Sequence, residues 1–192
     1  MRNLPSFLSA LSALFVALAL CCDRNSGGGH SIAPRSDGSE TYLNLTAITG
    51  RGRVSVLECW RLSAPFATSD VPGISGTQAL QLGDLANATY TVLPARFDGG
   101  LHNAPAKQYV WFISGLIHLT LPNATGEAWV YGGKYGLIYA DDTADISGWG
   151  HITRYPGNDE TVALAIPVKD GVNPKHTVLH DGPCVTAELA GV

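Results

Sequence analysis

Six histidines carry the most versatile chemistry in this chain: His30, His102, His118, His151, His176 and His180. An imidazole titrates near neutral pH and is a common metal ligand, so each is a candidate proton carrier or ligand. Two of them stand in distinctive surroundings. His102 follows Asp98-Gly99-Gly100 and opens the run His102-Asn103-Ala104-Pro105-Ala106-Lys107-Gln108. Gln108 begins an apolar stretch, Tyr109 to Ile113, which Gly115 closes. His151 ends a second segment, from Asp141-Asp142-Thr143 to Gly148-Trp149-Gly150-His151. His118 alternates with Ile117 and Leu119 and is expected to face solvent. His176 and His180 lie in a polar C-terminal stretch, where surface placement is expected. The adjacent carboxylates Asp141 and Asp142 invite an acid–base reading. Neighbours on a strand point to opposite faces, so at most one of them reaches an interior; the plainer reading is a turn pair ahead of Thr143. The same rule puts Trp111 and Phe112 on opposite sides. No nucleophile elbow, P-loop or dinucleotide fingerprint is present.

The elements that must position these groups are short. Tyr42 to Ile48, Val54 to Leu62, Tyr90 to Leu93, Tyr109 to Ile113, Leu116 to Leu121, Ala128 to Tyr131, Leu137 to Ala140, His151 to Tyr155 and Thr161 to Val168 read as strands, with Gly, Pro, Asn or Asp between them. That rhythm predicts an all-β sandwich or barrel. No stretch beyond the N-terminal apolar run carries a long helical stripe. With 192 residues there is room for one domain plus appendages. Twelve Lys and Arg against 16 Asp and Glu leave no basic field for a polyanion, so nucleic acid is not an expected partner.

The N-terminus reads as an address. Arg2 precedes an apolar run from Phe7 to Leu20, and Ala17-Leu18-Ala19 fits the small-x-small rule. This predicts a signal peptide over 1–19, cut after Ala19. The alternative, an uncleaved anchor, would need a run nearer the ~20 residues of a bilayer span. Residues 20–38, with Ser26-Gly27-Gly28-Gly29 and Pro34, read as a flexible linker, 39–184 as the folded domain and 185–192 as a C-terminal tail. The expected destination is extracellular, with no membrane attachment once the signal is removed. Three glycosylation sequons, at Asn44, Asn87 and Asn123, agree with secretion and place those residues at the surface. Cys21 and Cys22 lie just beyond the cleavage site. In an oxidising compartment the simplest pairing of the other two is a Cys59–Cys184 disulfide; the alternative is two unpaired buried thiols.

The two histidine segments resemble the paired motifs of the cupin superfamily. The first motif is matched by Gly99/Gly100, His102, Gln108 and Gly115, the second by Gly148-Trp149-Gly150-His151. The wording is closer still to small single-domain cupins, through His102, Ala104, Pro105, Lys107, Gln108, Asp142, Thr143, Gly150 and His151; the likeness spans roughly residues 85–170. It implies an antiparallel double-stranded β-helix, the cupin jelly-roll barrel, preceded by an N-terminal strand extension. It further implies a divalent metal held by His102, Gln108 and His151, with Asp142 at a substrate pocket; Phe112 is the candidate from the Trp111–Phe112 pair to line that pocket, and core packing is its plainer role. Two departures weaken the ligand set. Ala104 stands where the motif has its second His, and Gln108 replaces a Glu. A neutral set of this kind is compatible with iron, manganese, zinc, copper or nickel. The function implied is a secreted metal-dependent enzyme acting on a small molecule, nearest an oxidoreductase of dioxygenase type or an isomerase. The alternative is a non-catalytic ligand-binding, storage or effector-like barrel with a degenerate metal site. Exposed strand edges would suit a homodimer.

Overall fold

The computed structural model describes residues 40–122 and 126–189. The expected signal peptide, the linker with Cys21 and Cys22, and the Asn123 sequon lie outside the described residues. Thirteen strands run in chain order among those described: β1 (Tyr42–Arg51), β2 (Val54–Pro65), β3 (Ala67–Thr68), β4 (Gln78–Ala79), β5 (Thr89–Leu93), β6 (Asp98–His102), β7 (Gln108–Phe112), β8 (Leu116–Thr120), β9 (Glu127–Tyr131), β10 (Leu137–Ala140), β11 (His151–Arg154), β12 (Thr161–Pro167) and β13 (His176–Asp181). The described helices are a 3₁₀ turn, Lys169–Gly171, and the four-residue α1, Thr186–Leu189. The all-β expectation therefore holds. None of the described helices is long and apolar enough to cross a membrane.

Seven strands form one sheet in the order β13-β2-β1-β10-β7-β12-β5, four form a second in the order β6-β11-β8-β9, and β3 and β4 make a small ribbon. The sheets are separate, not one closed barrel. Pairing is antiparallel except between β1 and β10, which run parallel, with Ala47 opposite Tyr139. The expectation of a wholly antiparallel sheet is corrected at that point. A parallel neighbour needs a long crossover, and here the intervening chain builds most of the second sheet before β10 returns beside β1.

Period-2 alternation decides what faces the interior. On β8 and β9, Ile117, Leu119, Ala128 and Val130 are buried, whereas Trp129 and Tyr131 are exposed. On β7, Phe112 turns inward and Trp111 outward, 4% and 40% exposed. The main core brings Ile48, Leu57, Phe112, Ile138 and Ala163 of the large sheet against Ile117, Leu119, Leu121, Ala128 and Val130 of the small one. Each large aliphatic side chain buried there stabilises the fold by about 1.5–3 kcal/mol. A second cluster, with Leu45, Trp60, Leu62, Tyr109 and Tyr139, packs on the other face of the large sheet.

The described C-terminal segment packs onto the large sheet. β13 pairs with β2, with Val178 opposite Trp60. The imidazole of His176 stacks on the Trp60 indole at 3.6 Å and 8°, so it is half-buried against the sheet where surface placement is expected from sequence. His180 Nε2 sits 2.8 Å from Glu188 Oε1 on α1. Cys59 and Cys184 form the expected disulfide, with Cα atoms 4.6 Å apart across 125 positions of sequence. Asn44 is also drawn into this closure. It is 9% exposed, and its Nδ2 donates to the Glu188 carbonyl at 2.9 Å. The expectation of a surface sequon at Asn44 is corrected, because the nitrogen a glycan would occupy already holds α1. Asn87 is exposed, as expected.

Candidate functional site

A cavity of about 160 Å³ lies between the two sheets. Its wall is mainly apolar, with Ile48, Leu93, Val110, Phe112, Leu119 and Ile138 among its residues, and His102, Gln108 and His151 contribute its polar groups together with Thr91, Thr153 and Tyr155. The three positions singled out in sequence as metal ligands therefore share one cavity, and Phe112 lines it as expected.

The meeting of the histidines is a consequence of strand register. β6 and β11 pair antiparallel with His102 directly opposite His151, so both side chains emerge on the same face. Their ring centroids are 4.5 Å apart and tilted by 59°. The close approach depends on Gly150, whose φ is +68°. A Cβ at that position would lie 2.2 Å from the His102 carbonyl oxygen, so only glycine lets the two strands meet there. His102 is exposed at the mouth, while His151 is 5% exposed beneath it.

Each ring is oriented by an oxygen acceptor on its Nδ1. His151 Nδ1 donates to Asp142 Oδ2 at 2.8 Å. His102 Nδ1 donates to the Gly100 carbonyl at 3.0 Å. A carbonyl only accepts, and so does a carboxylate, so in the neutral rings the proton sits on Nδ1 and the lone pair on Nε2. Neither Nε2 has a hydrogen-bond partner among the described residues. This is the second-sphere arrangement that presents an imidazole to a metal or makes it a proton acceptor.

Asp142 does not line the cavity. It is fully buried and stands behind His151, so its assignment to the substrate pocket is corrected to one of orienting that ring. Ser55 donates to Asp142 Oδ2 at 2.7 Å. The Ser55 and Ser147 hydroxyls are also 2.7 Å apart; Ser55 has one proton, given to the carboxylate, so Ser147 donates to Ser55. Ser147 in turn accepts the Gly150 N–H at 3.1 Å, and the Ala104 N–H points at Asp142 Oδ1 at 3.4 Å. The neighbouring Asp141 turns away, as alternation requires, and accepts from Asn173 Nδ2 at 2.5 Å.

Gln108 is 8% exposed, and its amide makes no hydrogen bond to the described residues, so its oxygen and nitrogen are available to a ligand. Tyr155 was not apparent as a site residue from sequence. It lies just past the end of β11 and continues the inward series His151, Thr153, Tyr155; period 2 from His151 is the signal that finds it. Burial pushes its phenol up to about 12, so it remains a donor at neutral pH. Ser55, by contrast, carries no local signal; it belongs to β2 and meets Ser147 only through the fold.

Besides the hydroxyls of Thr91, Thr153 and Tyr155, the groups that face this cavity with lone pairs suited to a metal are two imidazoles and one amide. Elsewhere among the described residues, one group of three His, Cys, Asp or Glu ligand atoms converges, Cys59, Cys184 and Glu188, and there the sulfurs are bonded to each other. His118 is not part of the cavity; it lies on the outer face of the small sheet against Trp129.

No family model and no curated protein matches the chain.

Proposed function

We propose that the protein is a secreted, cupin-like, metal-dependent enzyme that acts on a small, largely apolar molecule in the cavity between its sheets. The observation that carries this reading is the His102–His151 pair. Two directly opposed imidazoles, each tied at Nδ1 to an oxygen acceptor, offer free Nε2 lone pairs beside the unpaired amide of Gln108. His102 and His151 would hold a divalent ion, with the Gln108 oxygen as a third and weaker donor. Such an ion supplies Lewis acidity toward a carbonyl or enol, or a site for dioxygen. The neutral donor set leaves the ion's charge uncompensated, which favours a substrate bearing its own carboxylate or enolate oxygen. Phe112, Val110, Leu119 and Ile138 exclude water and hold the apolar part of such a molecule. Tyr155 offers a proton or a hydrogen bond from the cavity wall. Asp142 keeps the His151 ring in place. This reading puts the protein nearest the oxidoreductases, with isomerase chemistry on the same enol as the neighbouring case. It also takes the two sheets as the halves of a cupin jelly roll, and Asn87 and Asn123 as glycan acceptors on an extracellular chain.

The test is the metal content of purified protein, set beside that of His102→Ala and His151→Ala. About one divalent ion per chain in the wild type, lost from both variants, is the expected result. Equal content in all three proteins would remove the site.

One observation favours a second reading, a non-catalytic ligand-binding barrel: Ala104 and Gln108 deprive the site of a third imidazole and of any carboxylate. Binding of an apolar ligand that is indifferent to chelators would select it.

A further inference from the structure

The outer face of the four-stranded sheet carries a separate arrangement that the cavity chemistry does not use. His118 of β8 lies directly opposite Trp129 of β9, and Leu116 opposite Tyr131. The His118 and Trp129 rings stack at 3.9 Å with only 10° between their planes. His118 is in turn fixed by Glu127, Nε2 to Oε2, at 2.7 Å. The indole thus has one face backed by a clamped imidazole, yet it remains 49% exposed. Tyr131, two residues along the same edge strand, is 67% exposed. Alternation puts Glu127, Trp129 and Tyr131 on one side of β9.

We propose that this is a carbohydrate-binding surface, with the open face of Trp129 as a stacking platform for a neutral pyranose ring. The chemistry of the patch selects that ligand. The face of an aromatic ring is electron-rich, and a sugar ring offers it a flat array of C–H bonds with partial positive charge. The rim of a sugar offers hydroxyls, and the carboxylate of Glu127, 61% exposed, accepts from them. An anionic ligand is disfavoured. Arg154, the nearby cation on this face, is already paired with Asp98 at 3.3 Å, and the whole chain carries a net charge of −4. Because His118 and Glu127 hold the indole before any ligand arrives, little side-chain freedom is lost on binding.

The proposal stands apart from the cavity and is tested without it. Purified protein is mixed with insoluble cellulose, chitin and xylan, and the bound fraction is measured by sedimentation. The expected result is retention on at least one of them, released by the matching soluble oligosaccharide. Trp129→Ala should weaken retention about tenfold, the ratio that accompanies loss of one aromatic stacking contact, while Trp129→Phe keeps most of it. If Trp129→Ala does not fold, Tyr131→Ala, at the more exposed ring, gives the same reading through a smaller loss. Failure of the wild type to bind all three polysaccharides would overturn the proposal. So would retention that soluble sugar does not reverse, retention unchanged by both alanine variants, or retention abolished by a chelator, which would assign it to the cavity.

Discussion

At the scale of single residues, the site depends on which nitrogen of each imidazole carries the proton. Asp142 has no contact with the cavity, yet its carboxylate sets the His151 tautomer. Asp142→Asn changes one oxygen to a donor without changing shape. Its amide can then donate to Nδ1 and leave the proton on Nε2, where it blocks coordination. Loss of such an orienting carboxylate lowers metal affinity about 10–100-fold. Titration of the metal-free protein with Zn²⁺ should show that weakening with little change in melting temperature; unchanged affinity would show that Asp142 only fills space. His102, Gln108, His151 and Phe112 were legible in the sequence because motif spacing and alternation mark them locally. The role of Asp142 was not, because its partners Ser55 and Ser147 are brought to it from β2 and from the turn before β11.

At the scale of elements, the pairing of β6 with β11 decides whether two histidines make a site. A slip of one residue would send one ring to the outer face. Gly150 enforces the register by combining a left-handed backbone with contact against the His102 carbonyl. Gly150→Ala should cost about 1–3 kcal/mol from the backbone conformation alone, and more from displacing β6. Gly148→Ala is the natural control, since its Cβ would meet the Arg53 carbonyl no closer than 3.8 Å. Thermal melts of the two variants should separate by several degrees, and only Gly150→Ala should lose bound metal. β13 is the element that composition hid. Its sequence, HTVLHD, has only two apolar residues in six, and what makes it a strand is the open edge of β2.

At the scale of the molecule, the two ends of the folded chain close on each other. The disulfide joins β2 to the segment before α1, and constraint of so long a loop stabilises by roughly 4–5 kcal/mol in the loop-entropy account, less any strain. Beside it, His180 and Glu188 form a pH-dependent clasp. The Asp181 carbonyl, and then the Glu188 carboxylate, raise the His180 imidazole above its ordinary 6.5. Burial pushes the Glu188 carboxyl upward, but the Val185 N–H and His180 outweigh it and hold it below its ordinary 4.5. A raised imidazole contributes stability that is complete below 6.5 and lost as pH climbs through its folded value. A lowered carboxyl contributes stability present above 4.5 and lost as pH falls through its own folded value. The clasp is therefore strongest between those two pH values. His180→Gln should lower the melting temperature most in that interval and become indistinguishable from wild type in alkaline solution. A difference that does not vary with pH would show that the ion pair contributes nothing.

The sequence by itself determined most of the strands, the alternation of their faces and the disulfide, and it singled out His102 and His151, because these depend on alternation, composition, cysteine count or local spacing. The tertiary structure decided the rest. It placed β1 parallel to β10, turned Asp142 behind His151, buried Asn44 under α1, stacked His176 on Trp60 and exposed Trp129 on a clamped imidazole. Three of these, at β10, Asn44 and His176, join segments far apart in the chain; the other two lie within about ten residues but depend on strand register, and the free energy of all of them exists only once the sheets have assembled.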